Sequence, residues 1–304
     1  MKPDLLLVQS MSADLEAALE EAYTVCRLGA DGLPPPALAS RVRAVVTGGG
    51  KGLPAAVWDQ LPALEIIAVN GVGLDAVDLD RAKASNVNVA ITPGVLTADV
   101  ADLAIGLWLS LSRRMMVADA YVRGRGWASG APLALSRTAS GRAVGVLGLG
   151  EIGLAIAARA TPFAREVIYH SRRPRSGVPY AYAESPLELA RRSQVLFVAT
   201  SGGAETRNLV DAAVLDALGP EGLLINVSRG TVVDEAALVT ALEEGRLGGA
   251  GLDVFAHEPD VPTALLGRED VVLQPHRGSA TVEGRSEMAR LVLENLAAHF
   301  AARP

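Results

Sequence analysis

The chain has 304 residues, and at about 150 residues per domain that length favours two domains over one. Half of the residues are hydrophobic and a fifth are charged, while acids outnumber bases 34 to 28 for a net charge of −6. That balance argues against a general nucleic-acid or membrane-surface binder, which carries a basic excess. The single cysteine, Cys26, excludes an intrachain disulfide and a multi-cysteine zinc site, and the reading includes no metal. The first apolar run, Leu5 to Val8, is shorter than the roughly 7–15 residues of a secretory signal. Leu103 to Leu111 falls short of the roughly 20 residues that span a bilayer. The expectation is a cytoplasmic protein in a reducing compartment.

In chain order, Asp4–Val8, Tyr23–Leu28, Ala44–Thr47, Glu65–Val69 and Val87–Ala90 read as strands. After a gap follow Ala143–Leu147, Glu166–His170, Val195–Ala199, Gly222–Val227, Gly249–Asp253 and Val271–Leu273. Near-continuous apolar runs of this kind suit parallel strands buried on both faces. Helical patterns lie between them at Ser12–Ala22, Glu151–Phe163 and Asp234–Glu244, the last with Asp234 as N-cap and Gly245 as stop. Pro34-Pro35-Pro36 reads as a surface loop. Longer patterns, Thr97–Arg113 and Val282–Phe300, break the alternation. The layout predicts an α/β fold of two doubly wound parallel sheets, the terminal helix returning to the first domain. The domains are then 1–96 with 282–304, and 97–281.

Gly148-Leu149-Gly150-Glu151-Ile152-Gly153 directly follows a predicted strand and opens a predicted helix. In that context the first glycine permits the turn, the second admits a pyrophosphate to the backbone N–H groups, and the third allows close helix–strand packing. A ligand-free glycine turn is the bland alternative. An NAD site would carry an acid at the end of the next strand to meet the ribose 2′-OH. Here that strand runs through His170 into Ser171-Arg172-Arg173-Pro174-Arg175, a hydroxyl and guanidiniums that suit a 2′-phosphate. NADP is preferred over NAD on these residues, against the alternative of a solvated basic loop.

Three polar residues fall at predicted strand ends: Arg229, Glu258 and His276. A histidine can protonate a carbonyl oxygen as hydride arrives, a carboxylate can fix its tautomer, and an arginine can pair with a substrate carboxylate. The set suits reduction of a 2-keto acid. His257, adjacent to Glu258, is the rival to His276. His170 falls near the adenosine end of the nucleotide unit, and His299 reads as a packing or surface residue.

The chain resembles the D-isomer-specific 2-hydroxyacid dehydrogenase family, in particular its glyoxylate/hydroxypyruvate and hydroxyphenylpyruvate reductase branch. The resemblance rests on Val69 to Asp75, Gly94 to Thr97 with Val100-Ala101-Asp102, Val146 to Gly153, Ile225 to Gly230 with Val233-Asp234, Gly251 to Phe255 with Glu258-Pro259, and Pro275-His276 with Gly278 to Thr281. It implies a cofactor domain inserted into a substrate domain. Arg229 becomes the substrate-carboxylate arginine, Glu258 the partner of the acid/base His276, and His257 a bystander. Backbone amides of Val72 and Gly73 would hold the substrate carboxylate. Gly148, Gly150, Glu151, Ile152 and Gly153 would meet the pyrophosphate, and Ser171, Arg172 and Arg173 the 2′-phosphate. Thr97, Thr200, Thr206, Val227, Arg229, Asp253, His276 and Gly278 would line the rest of the cofactor site. The resemblance further implies a homodimer joined through the cofactor domain and the segment Tyr121–Pro132.

Two departures stand out. Ser201-Gly202-Gly203-Ala204 replaces the Pro-Leu-Thr-Pro of many relatives, which frees that loop. Gly130 stands where some reductases carry a second aromatic beyond Trp127. Lys51, in a glycine-rich strand-end loop, is read as solvated or as an attractor of anionic substrates. Val72 argues against phosphite oxidation, and Glu258, in place of glutamine, against formate chemistry. The activity implied is NADPH-preferring reduction of glyoxylate and hydroxypyruvate to D-2-hydroxy acids. Alternatives are reduction of aryl keto acids such as hydroxyphenylpyruvate, an NAD-dependent dehydrogenase, and, in another class, a catalytically silent nucleotide-sensing protein.

Overall fold

The structure, a computed structural model, describes residues 2–302. It divides into two compact units, one running to Leu96 and resuming at Ala280, the other spanning Thr97–Ser279.

The first unit holds strands β1 (Asp4–Leu7), β2 (Thr24–Arg27), β3 (Val42–Thr47), β4 (Ile66–Val69) and β5 (Asn88–Ala90). They form one parallel sheet in the order β2-β1-β3-β4-β5. Alternate residues of a strand point to opposite faces, and here both faces are covered. Leu5, Leu7, Ala44, Val46, Ile66 and Ala68 pack with Leu15 and Leu19 of helix Ala13–Ala22 and with Val292 and Leu296 of helix Val282–Ala301. Leu6, Val45, Ile67 and Val69 pack on the other side with Val57, Trp58 and Leu61. Thr281 caps the returning helix, its Oγ1 accepting from Gly284 N–H at 2.9 Å.

The second unit holds β6 (Ala143–Leu147), β7 (Glu166–His170), β8 (Ala181–Tyr182), β9 (Val195–Val198), β10 (Leu223–Asn226), β11 (Gly249–Leu252) and β12 (Val271–Leu273). This parallel sheet is ordered β12-β11-β10-β9-β6-β7-β8. The order reverses between β6 and β9, and ligands of open α/β sheets bind at the strand carboxyl ends beside such a reversal. Asp234 caps helix Glu235–Glu243 as its sequence implied, accepting from Ala237 N–H at 3.0 Å.

Two local expectations are corrected. Strand β8 has only two residues and no apolar run, so periodicity does not reveal it. Pro34 is buried, and Pro36 opens a one-turn helix, Pro36–Ala39, because a proline at the first helical position costs no hydrogen bond. Among the described residues, no helix is long and apolar enough to cross a membrane.

Candidate active site

The glycine turn lies between β6 and helix Glu151–Ala160, at the sheet's reversal point. Gly148 has φ +94°, and a Cβ there would come within 2.7 Å of the Thr200 backbone. A Cβ on Gly153 would come within 1.9 Å of the Gly148 carbonyl oxygen. Both positions therefore demand glycine. Gly150 caps the helix without a side chain, and the first turn's N–H groups, at Glu151, Ile152 and Gly153, open to an anion.

A groove of about 1100 Å³ runs along this turn. Gly148, Gly150, Ser171, Arg172, Arg173, Thr200 and Thr206 line it, together with His170. No acid stands at the end of β7. His170 is fixed by its Nδ1, 2.8 Å from the Ala183 carbonyl oxygen, and stacks on Tyr182. Ser171 Oγ donates to the Arg173 carbonyl at 2.7 Å. Arg172 and Glu205, both more than four-fifths exposed, stand 3.7 Å apart across the groove. The loop that lacks prolines closes on itself: Thr206 Oγ1 donates to the Ser201 carbonyl at 2.8 Å, and Gly203 has φ +127°. A turn closed to side chains at Gly148 and Gly153, open space over Gly150, an open helix N-terminus and flanking guanidiniums fit the phosphates of a dinucleotide.

A second cluster forms at the ends of β10, β11 and β12. His276 Nδ1 stands 2.7 Å from Glu258 Oε2, and Glu258 Oε1 accepts from Phe255 N–H at 3.1 Å. A carboxylate only accepts, so Nδ1 carries its proton toward Glu258 and Nε2 is left for chemistry. Burial pushes the Glu258 carboxyl up, but His276 and the nearby Arg229 guanidinium outweigh it and hold the carboxyl below its ordinary range. The rival His257 is exposed and pairs with neither residue through its side chain. His299, by contrast, is packed at 8% exposure, with Nε2 3.3 Å from Glu65.

Sequence reasoning missed what holds this cluster. Asn226, 1% exposed, accepts from both the N–H and Oγ of Ser228 and donates to the Arg229 carbonyl. Its amide thereby fixes the turn that projects Arg229. Gly230 adjoins the loop bearing Glu258 so closely that a Cβ would come within 1.8 Å of the Phe255 carbonyl carbon. Asp253, also 1% exposed, accepts from Arg277 N–H at 2.6 Å and Gly278 N–H at 2.8 Å. Burial raises the Asp253 carboxyl above its ordinary range despite these donors. Asp253 thus holds the His276 turn, and the buried Gly278 has its N–H committed to it. His276 itself has φ +53°. Val227 directly follows β10 at 7% exposure, and neither it nor Thr97, which starts helix Thr97–Ser112, lines the groove.

In the first unit the loops after β3 and β4 meet. A Cβ on Gly49 would fall 2.5 Å from the Gly73 carbonyl oxygen, and Asn70 N–H donates to the Thr47 carbonyl at 2.8 Å. Val72 and Gly73 lie in this turn, which includes the buried Asn70 Oδ1 without a hydrogen-bond partner. Lys51 is exposed on the facing loop.

Residues 105–278 match the model of the D-isomer specific 2-hydroxyacid dehydrogenase family, NAD binding domain. The chain belongs to that family. It is 43% identical to a 2-ketogluconate reductase of Gluconobacter oxydans over 98% of this chain and 96% of that protein. It is 47% identical to a hydroxyphenylpyruvate reductase of Plectranthus scutellarioides over 99% of this chain and 96% of that protein. A solved structure of an NADPH-dependent glyoxylate/hydroxypyruvate reductase of Sinorhizobium meliloti, in complex with NADP and malonate, superposes with a TM-score of 0.93 at 42% identity, covering 99% of this chain and 94% of that one. As a 2-hydroxyacid dehydrogenase family member the chain is an oxidoreductase with two Rossmann-like units. This 2-hydroxyacid dehydrogenase keeps Arg229, Glu258 and His276 on adjacent strand ends of its NAD-binding unit.

Proposed function

We propose that this protein reduces small 2-keto acids, glyoxylate and hydroxypyruvate first, to D-2-hydroxy acids and prefers NADPH. The observation that carries the reaction is the His276–Glu258 pair beside Arg229. The nicotinamide cofactor, when bound, supplies the hydride. His276 gives the proton from Nε2 to the carbonyl oxygen, while Glu258 holds the tautomer and stabilises the charged imidazole. Arg229 pairs with the substrate carboxylate and polarises the carbonyl. Val72 and Gly73 remain proposed substrate contacts through their main-chain N–H groups.

The NADPH preference is supported by the wall Ser171, Arg172 and Arg173 and by the missing acid at the end of β7. Among the described residues the Arg173 guanidinium meets no acceptor, so its donors remain available to a 2′-phosphate. Gly148, Gly150, Glu151, Ile152 and Gly153 would hold the pyrophosphate. Thr97, Thr200, Thr206, Val227, Arg229, Asp253, His276 and Gly278 remain the proposed contacts to the rest of the cofactor. Larger keto acids stay within this reading, since relatives are named for hydroxyphenylpyruvate and 2-ketogluconate.

A homodimer is part of the reading. Among the described residues, six of the nine exposed large hydrophobic side chains fall between Met115 and Leu135, including Trp127 at 74% and Leu135 at 95% exposure. Exposed apolar side chains concentrated on one segment suit burial against a second copy of the chain. Cys26, buried and free, accords with a cytoplasmic setting.

The test is turnover of NADPH and NADH with glyoxylate, hydroxypyruvate, hydroxyphenylpyruvate and 2-ketogluconate, ranked by kcat/KM. Highest values with NADPH and the two small acids are expected. Absence of turnover with every acid, or a preference for NADH, overturns the proposal.

A further inference from the structure

Three arginines follow β7 within five residues, yet they do different things. Arg172 and Arg173 line the groove, whereas Arg175 does not. Its Nη1 donates to the main-chain carbonyl of Leu149 at 2.9 Å. Leu149 is the middle residue of the Gly148–Gly150 turn and is 5% exposed.

The backbone of Arg175 is held as well. The hydroxyl of Tyr169, a β7 residue 2% exposed, accepts from Arg175 N–H at 2.8 Å and donates to its carbonyl at 3.3 Å. At the loop's other end the Tyr182 hydroxyl donates to the Ser171 carbonyl at 3.0 Å. Pro174 fixes φ between these anchors. The loop is therefore pinned at both ends, and among the described residues its one side-chain link to the glycine turn is the Arg175 guanidinium.

We propose that Arg175 is a positioning residue, tying the loop that meets a 2′-phosphate to the turn that meets the pyrophosphate. This rests on the NADPH reading above. The two phosphate groups belong to one cofactor molecule and lie a fixed number of bonds apart. Receptors already held at the matching spacing lose less freedom when that molecule binds. The glycine turn is fixed by its packing on Thr200 and the loop's ends by Tyr169 and Tyr182, so releasing the Arg175 guanidinium lets the loop shift against the turn while both keep their own anchors. The consequence is selective: NADPH binding weakens and NADH binding does not.

The experiment measures NADPH and NADH dissociation constants by fluorescence titration for wild type, Arg175→Ala, Arg175→Lys and Tyr169→Phe. Arg175→Ala is expected to weaken NADPH about tenfold, the scale of a lost hydrogen bond from a charged donor, with NADH changed less than twofold. Arg175→Lys restores part of the loss. Tyr169→Phe, which removes no charge and lies outside the groove lining, weakens NADPH selectively too. Equal losses for both cofactors, or an unchanged NADPH constant in Arg175→Ala, overturn the proposal. An unaltered Tyr169→Phe also overturns it and makes Arg175 a direct phosphate ligand. Wild type with no NADPH preference refutes the cofactor reading itself. A preference that vanishes in Arg172→Ala and persists in Arg175→Ala refutes the tie alone.

Discussion

His276 Nδ1 and Glu258 Oε2 lie 2.7 Å apart across eighteen residues of chain, although His257 is the glutamate's immediate neighbour. The pairing follows from strand order: β11 and β12 are adjacent and parallel, so the segments leaving their carboxyl ends meet.

His276→Ala is expected to lower turnover by about 10²–10⁴-fold, the range of general acid catalysis, while NADPH binding persists. Steady-state kinetics with hydroxypyruvate and a fluorescence titration check both halves. A turnover unchanged in this variant removes His276 from the chemistry.

Glu258→Gln keeps the shape and deletes the carboxylate charge beside His276 Nδ1. Stability then responds to pH differently in the variant. A carboxyl held below its ordinary range stabilises the fold above its unfolded pKa, and that contribution disappears as pH falls through the depressed folded value. Thermal unfolding scans from neutral to acid pH should fall in this window for wild type and flatten for the variant.

Asp253→Asn places an amide donor against one of two main-chain N–H groups, those of Arg277 or Gly278. An unsatisfied donor there costs about 1–3 kcal/mol. The variant should lose both melting temperature and kcat because the His276 turn shifts. The Asp253 carboxyl is raised, so its ionisation in the fold costs stability as pH rises from its unfolded to its folded pKa; the variant lacks that slope. Unaltered kcat would show that the turn holds without Asp253.

Gly148→Ala combines a left-handed backbone with a Cβ 2.7 Å from the Thr200 backbone. Dissociation constants of NADPH and NADH should both rise at least about tenfold, given strain of order 1–3 kcal/mol. That uniform loss contrasts with the selective one expected of Arg175→Ala.

Trp127→Ala combined with Leu135→Glu should convert a dimer to a monomer by sedimentation, since both side chains stand on the apolar patch. A wild-type protein that sediments as a monomer rejects the homodimer outright.

Much of the framework was legible in the sequence because parallel strands covered on both faces are written as unbroken apolar runs, as in Leu5–Leu7 and Leu223–Ile225. The glycine turn was equally plain, since its geometry leaves no other residue at Gly148 and Gly153. Strand β8 was not legible, because two residues carry no period. The choice between His257 and His276 was hidden by sequence adjacency, which is a poor guide when neighbouring side chains diverge. The roles of Asn226 and Asp253 as holders of turns follow from which main-chain N–H groups converge on them, and no spacing rule encodes that.

The left-handed conformation of His276 has a consequence for how this position tolerates change. At φ +53° glycine or asparagine satisfies the backbone more readily than an imidazole does. A library randomised at position 276 and sorted for heat resistance would drift toward those two residues. One sorted for turnover would return histidine. Selection for robustness alone would thus erase the proposed proton donor first, so thermostabilising this enzyme requires that a single codon be withheld from the search.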